Sequence, residues 1–241
     1  MIGQKLFQAA CLASAIALLG VSAPAALAQT NQVEETAQVT SLPTPWMPQD
    51  TAKIDFKVLR KGKPFGRHIL EFKRQEDGSL SVITDVDLEV KVGPFTAFRY
   101  RLDSEETWRD GQLVALKGAS NNDGRKGKVA ATLNGGALVI DSTEFDGTLP
   151  ASTIPSSHWN ILQVFSERML STETGEVIDI DVETLGPDTV MVAGSPVDAT
   201  HYRLKSDITV DLWYDAQNRW VKLTFEARGQ TIEYQLTALY S

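Results

Sequence analysis

The chain has 241 residues, 42% apolar and 22% charged, with 23 Lys and Arg against 31 Asp and Glu for a net charge of −8. That length suits one all-β sandwich or barrel with a sizeable core. The acidic balance argues against nucleic acid or an anionic membrane surface as partner, and a single cysteine excludes an intrachain disulfide.

The first 28 residues read as an export signal. Lys5 supplies the positive start, Leu6 to Leu19 is largely apolar, and Ala26-Leu27-Ala28 is a small-x-small cleavage site. Cys11 lies inside this segment. Gln8-Ala9-Ala10-Cys11 departs from a lipidation box, because Gln8 stands where Leu is expected. The processed chain then has no thiolate nucleophile and no Cys-based metal site. Its expected location is the periplasm or the outside of the cell, after cleavage near Ala28. No later stretch reaches the roughly 18 to 20 apolar residues of a membrane span.

Residues 29–50 are polar and broken by Pro43, Pro45 and Pro48, which reads as a flexible leader with Trp46 and Met47 able to dock. From Lys53 onward the period is two. Leu80, Val82, Val86, Leu88, Val90 and Val92 fall on one face, and Ser81, Asp85, Asp87, Glu89 and Lys91 on the other. Such alternation is a half-buried antiparallel strand. Near the end, Val221, Leu223, Phe225 and Ala227 alternate with Trp220, Lys222, Thr224 and Glu226. Ile232, Tyr234, Leu236 and Ala238 do the same with polar neighbours. Asp77-Gly78, Asp110-Gly111, Asn134-Gly135-Gly136 and Arg228-Gly229 punctuate hairpins, since these residues tolerate positive φ. The result is a meander of about ten strands, and a long meander must curl to cover its apolar face.

Ser157 to Leu170 departs from period two. Trp159, Leu162, Phe165 and Met169 fall on one helical stripe, and Ser156 or Ser157 can cap its start. The pattern predicts one amphipathic helix across the concave side of the sheet. The fold class expected is therefore all-β: a curved antiparallel sheet forming an open or partial barrel, in a single domain over residues 51–241.

Chemistry-bearing residues are few. Ser156-Ser157-His158-Trp159-Asn160 places hydroxyls beside a histidine, but neighbours in sequence rarely face each other, and no G-x-S-x-G elbow is present. A helix start with a capping serine explains the string better than catalysis does. His68, His158 and His201 are too scattered for a metal signature, so no metal and no cofactor is expected. The acidic rows Asp85/Asp87/Glu89 and Asp179/Asp181/Glu183 read as solvated strand faces. The aromatics read either as a filled core or as the lining of an apolar cavity. Trp213 and Trp220 fall on the polar faces of their strands, where exposed tryptophans can mark a contact patch.

The run Leu212-Trp213-Tyr214-Asp215-Ala216-Gln217-Asn218-Arg219-Trp220-Val221-Lys222-Leu223-Thr224-Phe225, followed by Gly229-Gln230-Thr231-Ile232-Glu233-Tyr234, with Ile154-Pro155-Ser156-Ser157-His158-Trp159-Asn160, resembles a family of exported bacterial proteins catalogued only as a domain of unknown function. Asn218 stands where relatives commonly have glycine. More distantly, the organisation is similar to lipoprotein-localisation carriers, whose open sheet and helix enclose a cavity for acyl chains. The family label itself brings no activity; the expected function is that of a non-enzymatic exported protein binding a hydrophobic or amphipathic ligand in the half-barrel, with Trp159, Leu162 and Phe165 lining or gating the cavity and His158 and Asn160 beside them. Partners would be a lipid or other hydrophobic ligand, or an envelope component. A filled-core interaction module using Trp213 and Trp220 is the alternative, and a hydrolase using His158 the third.

Overall fold

The computed structural model describes residues 41–238. The expected export signal 1–28 and the first part of the expected leader lie outside the described residues. In chain order the strands are β1 (Thr51–Arg60), β2 (Lys63–Arg74), β3 (Leu80–Val92), β4 (Phe95–Arg109), β5 (Gln112–Asn122), β6 (Arg125–Asn134), β7 (Ala137–Ser142) and β8 (Gly147–Pro150). After them come β9 (Ile154–Pro155), a 3-10 helix (Ile161–Phe165), β10 (Arg168–Leu170) and β11 (Val177–Asp179). The chain closes with β12 (Asp181–Val192), β13 (Ser195–Lys205), β14 (Thr209–Asp215), β15 (Trp220–Ala227) and β16 (Gln230–Leu236).

Thirteen strands form one antiparallel sheet in the order β12-β13-β14-β15-β16-β1-β2-β3-β4-β5-β6-β7-β8. Every neighbour in the sheet is a neighbour in the chain, except that β1 pairs with β16, with Phe56 opposite Leu236. The first and last strands therefore meet in mid-sheet, and the free edges are β8 and β12. Residues 151–180 connect those edges and carry a separate three-stranded sheet, β11-β10-β9.

Alternation builds the strands. In β1, Ile54, Phe56 and Val58 are buried while Lys53 and Lys57 face solvent. At the β1–β2 connection Lys61 and Gly62 both hold positive φ, 50° and 71°. That is the backbone of a two-residue turn whose twist matches the strands it joins.

The sheet curls around residues 151–180. Trp159 meets Phe72 on β2 at 5.5 Å and Trp108 on β4 at 5.2 Å between ring centres. The neighbouring His158 meets Trp220 on β15 at 5.5 Å, and Phe165 meets Tyr202 on β13 at 6.2 Å. A segment this short reaches strands on both arms only if the sheet wraps about it. Two glycines let its backbone lie flat on the inner wall. A Cβ on Gly118 of β5 would stand 2.2 Å from the Thr172 carbonyl, and one on Gly127 of β6 would stand 2.5 Å from that of Glu173.

Two expectations are corrected. The sheet, open as expected, has thirteen strands rather than about ten. The Ser157–Leu170 helix is not there: one 3-10 turn, Ile161–Phe165, stands in its place, and Arg168–Leu170 is strand. His158 breaks the helical path with φ 66°. Asn160 is extended, and its side-chain oxygen accepts from the Leu162 amide at 3.0 Å. Ser166 is extended at the other end. The leader's last residues are described: Trp46 packs edge-on against Phe72 at 5.2 Å, and the Thr44 carbonyl accepts from Asn218 Nδ2 at 2.9 Å.

Candidate functional site

One end of the curled sheet is filled and the other is hollow. Trp108, Trp159 and Phe72 fill the first. The other holds a cavity of about 530 Å³. Its apolar wall is built by Leu88 and Val90 of β3 and by Val210, Leu223, Phe225 and Ile232 of β14–β16. These positions share one face by cross-strand register: Val210 pairs with Phe225, which pairs with Ile232. Tyr100, Asn122, His158, Glu173 and Tyr234 supply the polar part of the lining. Arg60, Phe98, Arg228 and Gln230 stand where strands β1, β4, β15 and β16 meet their turns, which marks that end as the mouth.

His158 is held in place from every side but one. Gln163 uses its NH₂ group toward the His158 carbonyl at 3.1 Å and bonds the Tyr214 hydroxyl as well. The Tyr214 hydroxyl donates to the same carbonyl at 2.7 Å. The Gln163 amide oxygen must then accept from His158 Nδ1–H, at 2.9 Å. Nε2 is left as the lone-pair nitrogen of the ring. Burial lowers the His158 pKa, opposed by the Gln163 bond, so the ring is neutral and an acceptor at neutral pH. A non-glycine residue held at positive φ is a strained position, and such strain concentrates at ligand sites.

Glu173 comes from the loop between β10 and β11. Burial raises its carboxyl pKa, while a hydrogen bond from Tyr100 and the charge of Arg125 oppose that shift. Burial also raises the Tyr100 and Tyr234 hydroxyls above their ordinary value. The cavity thus offers apolar walls with a neutral imidazole, a hydrogen-bonded carboxyl and two phenols in them. No group of three or more potential metal-ligating side chains occurs among the described residues.

A second polar group lies in the filled half. Glu106 on β4 is fully buried. It accepts from Trp108 Nε1 at 2.7 Å and from Trp159 Nε1 at 3.0 Å. Burial raises its pKa, opposed by the nearby Ser157 hydroxyl and by the hydrogen bonds from Trp159 and Trp108. Ser157 thus faces the core carboxyl, and the hydroxyl beside His158 in sequence is turned away from that ring.

Of the residues proposed from sequence as ligand-binding or surface-contact sites, only His158 lines the cavity, which is also walled by the aromatics Phe98, Tyr100, Phe225 and Tyr234. Trp159 is a core plug at 1% exposure and Asn160 is a buried cap. Leu162 is half-buried against the core, and Phe165 is 46% exposed on the outer side of its turn. The buried face of that turn is Ile161, Gln163 and Val164. Trp213 and Trp220 do not form a surface patch: they are 6% and 0% exposed. A register shift lets Trp213 pair with Lys222 and Tyr214 with Trp220, skipping Val221. The shift turns Trp220 inward, onto Phe56 at 4.2 Å. Trp213 stays on the outer face, covered by His201 stacked at 4.1 Å and by Lys222. Glu173, Arg60 and Arg228 carried no signal in the sequence, because nothing in a strand end or a polar loop reveals an inward aim.

Fold and site together define an open, β-barrel-like domain with an internal cavity. Residues 56–237 match the model of the family described as Domain of unknown function (DUF6134), and the chain belongs to that family. Among solved structures, the beta-barrel-like protein of domain of unknown function DUF1849 from Brucella abortus superposes with a TM-score of 0.52 at 11% identity. The match covers 80% of this chain and 97% of that one, and it shows the fold alone. MucB aligns at 14% identity with a TM-score of 0.30, over 80% of this chain and 53% of MucB, which is too distant to bear on fold or function. No curated protein matches. No helix among the described residues is long and apolar enough to cross a membrane.

Proposed function

We propose that this domain binds a hydrophobic or amphipathic small molecule in its half-barrel cavity, and that it does so outside the cytosol after loss of residues 1–28. The cavity carries the reading. Its volume of about 530 Å³ lies in the range of small-molecule sites, and its walls are mostly apolar with a few polar groups to orient a ligand. A closely packed interior leaves few voids larger than a water molecule, so a hollow of this size calls for an occupant. Each methylene of a ligand buried there contributes about 0.8 kcal/mol. His158 Nε2 and the Tyr100–Glu173 pair supply an acceptor and a donor–acceptor couple for its polar atoms.

The test is binding of the neutral dye Nile red to the purified chain, alongside an Ile232→Trp variant. Ile232 lines the cavity and is 4% exposed, so tryptophan there fills the space. We expect one saturable site in the parent chain and loss of at least tenfold in affinity in the variant, with the circular dichroism spectrum unchanged. Absence of saturable binding, or equal binding by the two proteins, overturns the reading.

A further inference from the structure

We propose that the occupant of the cavity is a single-chain amphiphile with an anionic head, its tail inside and its head between Arg60 and Arg228 at the mouth. The inference rests on the ligand-binding reading above and adds the charge and direction of the ligand.

The observation behind it is how this acidic chain uses its arginines. Among the described residues, Arg67, Arg99, Arg101, Arg109, Arg168, Arg203 and Arg219 each pair with an aspartate. Arg74 donates to backbone carbonyls, and Arg125 lies beside Glu173. Among the described residues Arg60 and Arg228 have neither a carboxylate nor a carbonyl partner, and both line the cavity. In a protein with 31 acidic residues, these two arginines, which have neither kind of partner, stand at the mouth of its apolar hollow. Register brings them there. Arg60 pairs with Ile232 on β16, and Arg228 sits in the turn between β15 and β16. The guanidinium of Arg228 lies over Phe98 at 5.6 Å, and Phe98 stacks on Phe65 at 6.0 Å. An aromatic shelf thus holds one of the two cations at the opening.

Further cations stand at that end, with Asp123 and Asp207 in neighbouring turns. The β1–β2 turn carries Lys61 and Lys63, and β6 starts with Arg125 and Lys126. The one acid lining the cavity, Glu173, is bonded by Tyr100 and faced by Arg125. Two guanidiniums above an apolar well match a carboxylate or phosphate on an alkyl chain, because the planar fork accepts either oxyanion. A cationic or uncharged head leaves both arginines unanswered.

The experiment measures binding of decanoate, decyl phosphate, decanol, decyltrimethylammonium and acetate to the full chain by calorimetry, below the micelle concentration of each. Decanoate and decyl phosphate should bind at least tenfold more tightly than decanol. Decyltrimethylammonium and acetate should bind more weakly still. In R60E/R228E the anionic amphiphiles should lose that advantage over decanol. Should the double variant fail to fold, salt titration of the parent chain replaces it: decanoate affinity must fall with ionic strength and decanol affinity must not. Equal binding of decanoate and decanol overturns the charge inference and leaves the cavity reading standing. Acetate binding as tightly as decanoate also overturns it, since the tail would then contribute nothing. Failure of Nile red and every alkyl compound to bind sinks both readings.

Discussion

Trp213 and Trp220 show how a single residue's setting decides what it contributes. They lie seven positions apart in one hairpin, and both are buried. Trp220 is packed on Phe56 at 4.2 Å and donates its Nε1–H to the Lys222 carbonyl at 3.0 Å. Trp213 is sandwiched on the outer face between His201 and Lys222, and it donates to Asp188 at 2.8 Å. Trp220→Ala opens a core cavity and should cost about 3–5 kcal/mol. Trp213→Ala loses a stack and a hydrogen bond at a site that water can refill, about 1–2 kcal/mol. Urea denaturation of the two variants measures the difference, and equal costs would show that Trp213 belongs to the core.

At the scale of elements, residues 151–180 are the part whose role differs most from its sequence pattern. Trp159, Leu162, Phe165 and Met169 have helical spacing, yet the chain makes one 3-10 turn. Side-chain bonds explain this: Tyr214 of β14 and Gln163 of the turn itself take up the His158 carbonyl, which an α-helix would need for its own first bond. Trp159 is then free to turn toward Glu106. The segment depends on its close approach to β5. Gly118→Ala puts a methyl 2.2 Å from the Thr172 carbonyl and should cost about 1–3 kcal/mol through overpacking. Gly62→Ala meets nothing within 4 Å, although φ is 71° there, and should cost about 1 kcal/mol from backbone strain alone. Limited proteolysis adds a second readout: Gly118→Ala should speed cleavage within residues 151–180 and Gly62→Ala should not. Equal cleavage of both variants would mean that the segment tolerates displacement from the sheet.

Across the whole molecule, two buried ionisable groups set opposite limits on pH stability. Glu106 has a raised pKa, chiefly from burial. The folded state therefore holds its proton more tightly than the unfolded chain does, and this contribution is lost as pH climbs above the ordinary carboxylate range. His68 is buried among Phe56, Trp220 and Tyr234, and neither ring nitrogen has a hydrogen-bond partner. Burial, with the nearby His158, brings its pKa down to about 3. The unfolded chain takes up a proton near 6.5 that the folded one refuses, so stability falls as pH drops from about 6.5 toward 3. Relative to the parent chain, His68→Phe should therefore gain stability on moving from pH 7.5 to pH 5. Glu106→Gln should gain on moving from pH 4.5 to pH 7. Denaturant midpoints at those pH values test both signs, and a flat difference for either variant refutes the assignment for that residue.

The sequence alone determined the class of fold, because period-two alternation with Gly- and Asn-bearing turns permits little besides a meandering antiparallel sheet, and its length requires that sheet to curl. Family membership was legible in the same way, from the Leu212–Lys222 hairpin and the Ile154–Asn160 string. The tertiary structure decided the rest. The pairing of β1 with β16 and the gap between β8 and β12 are contacts between residues far apart in the chain, and no local pattern encodes them. A one-residue shift opposite Val221 reversed the face of Trp220, since a strand's two faces exchange at every step. The cavity exists only where six wall residues from distant strands, a loop carboxyl and two strand-end arginines converge, and each of them alone looks like an ordinary core or surface residue.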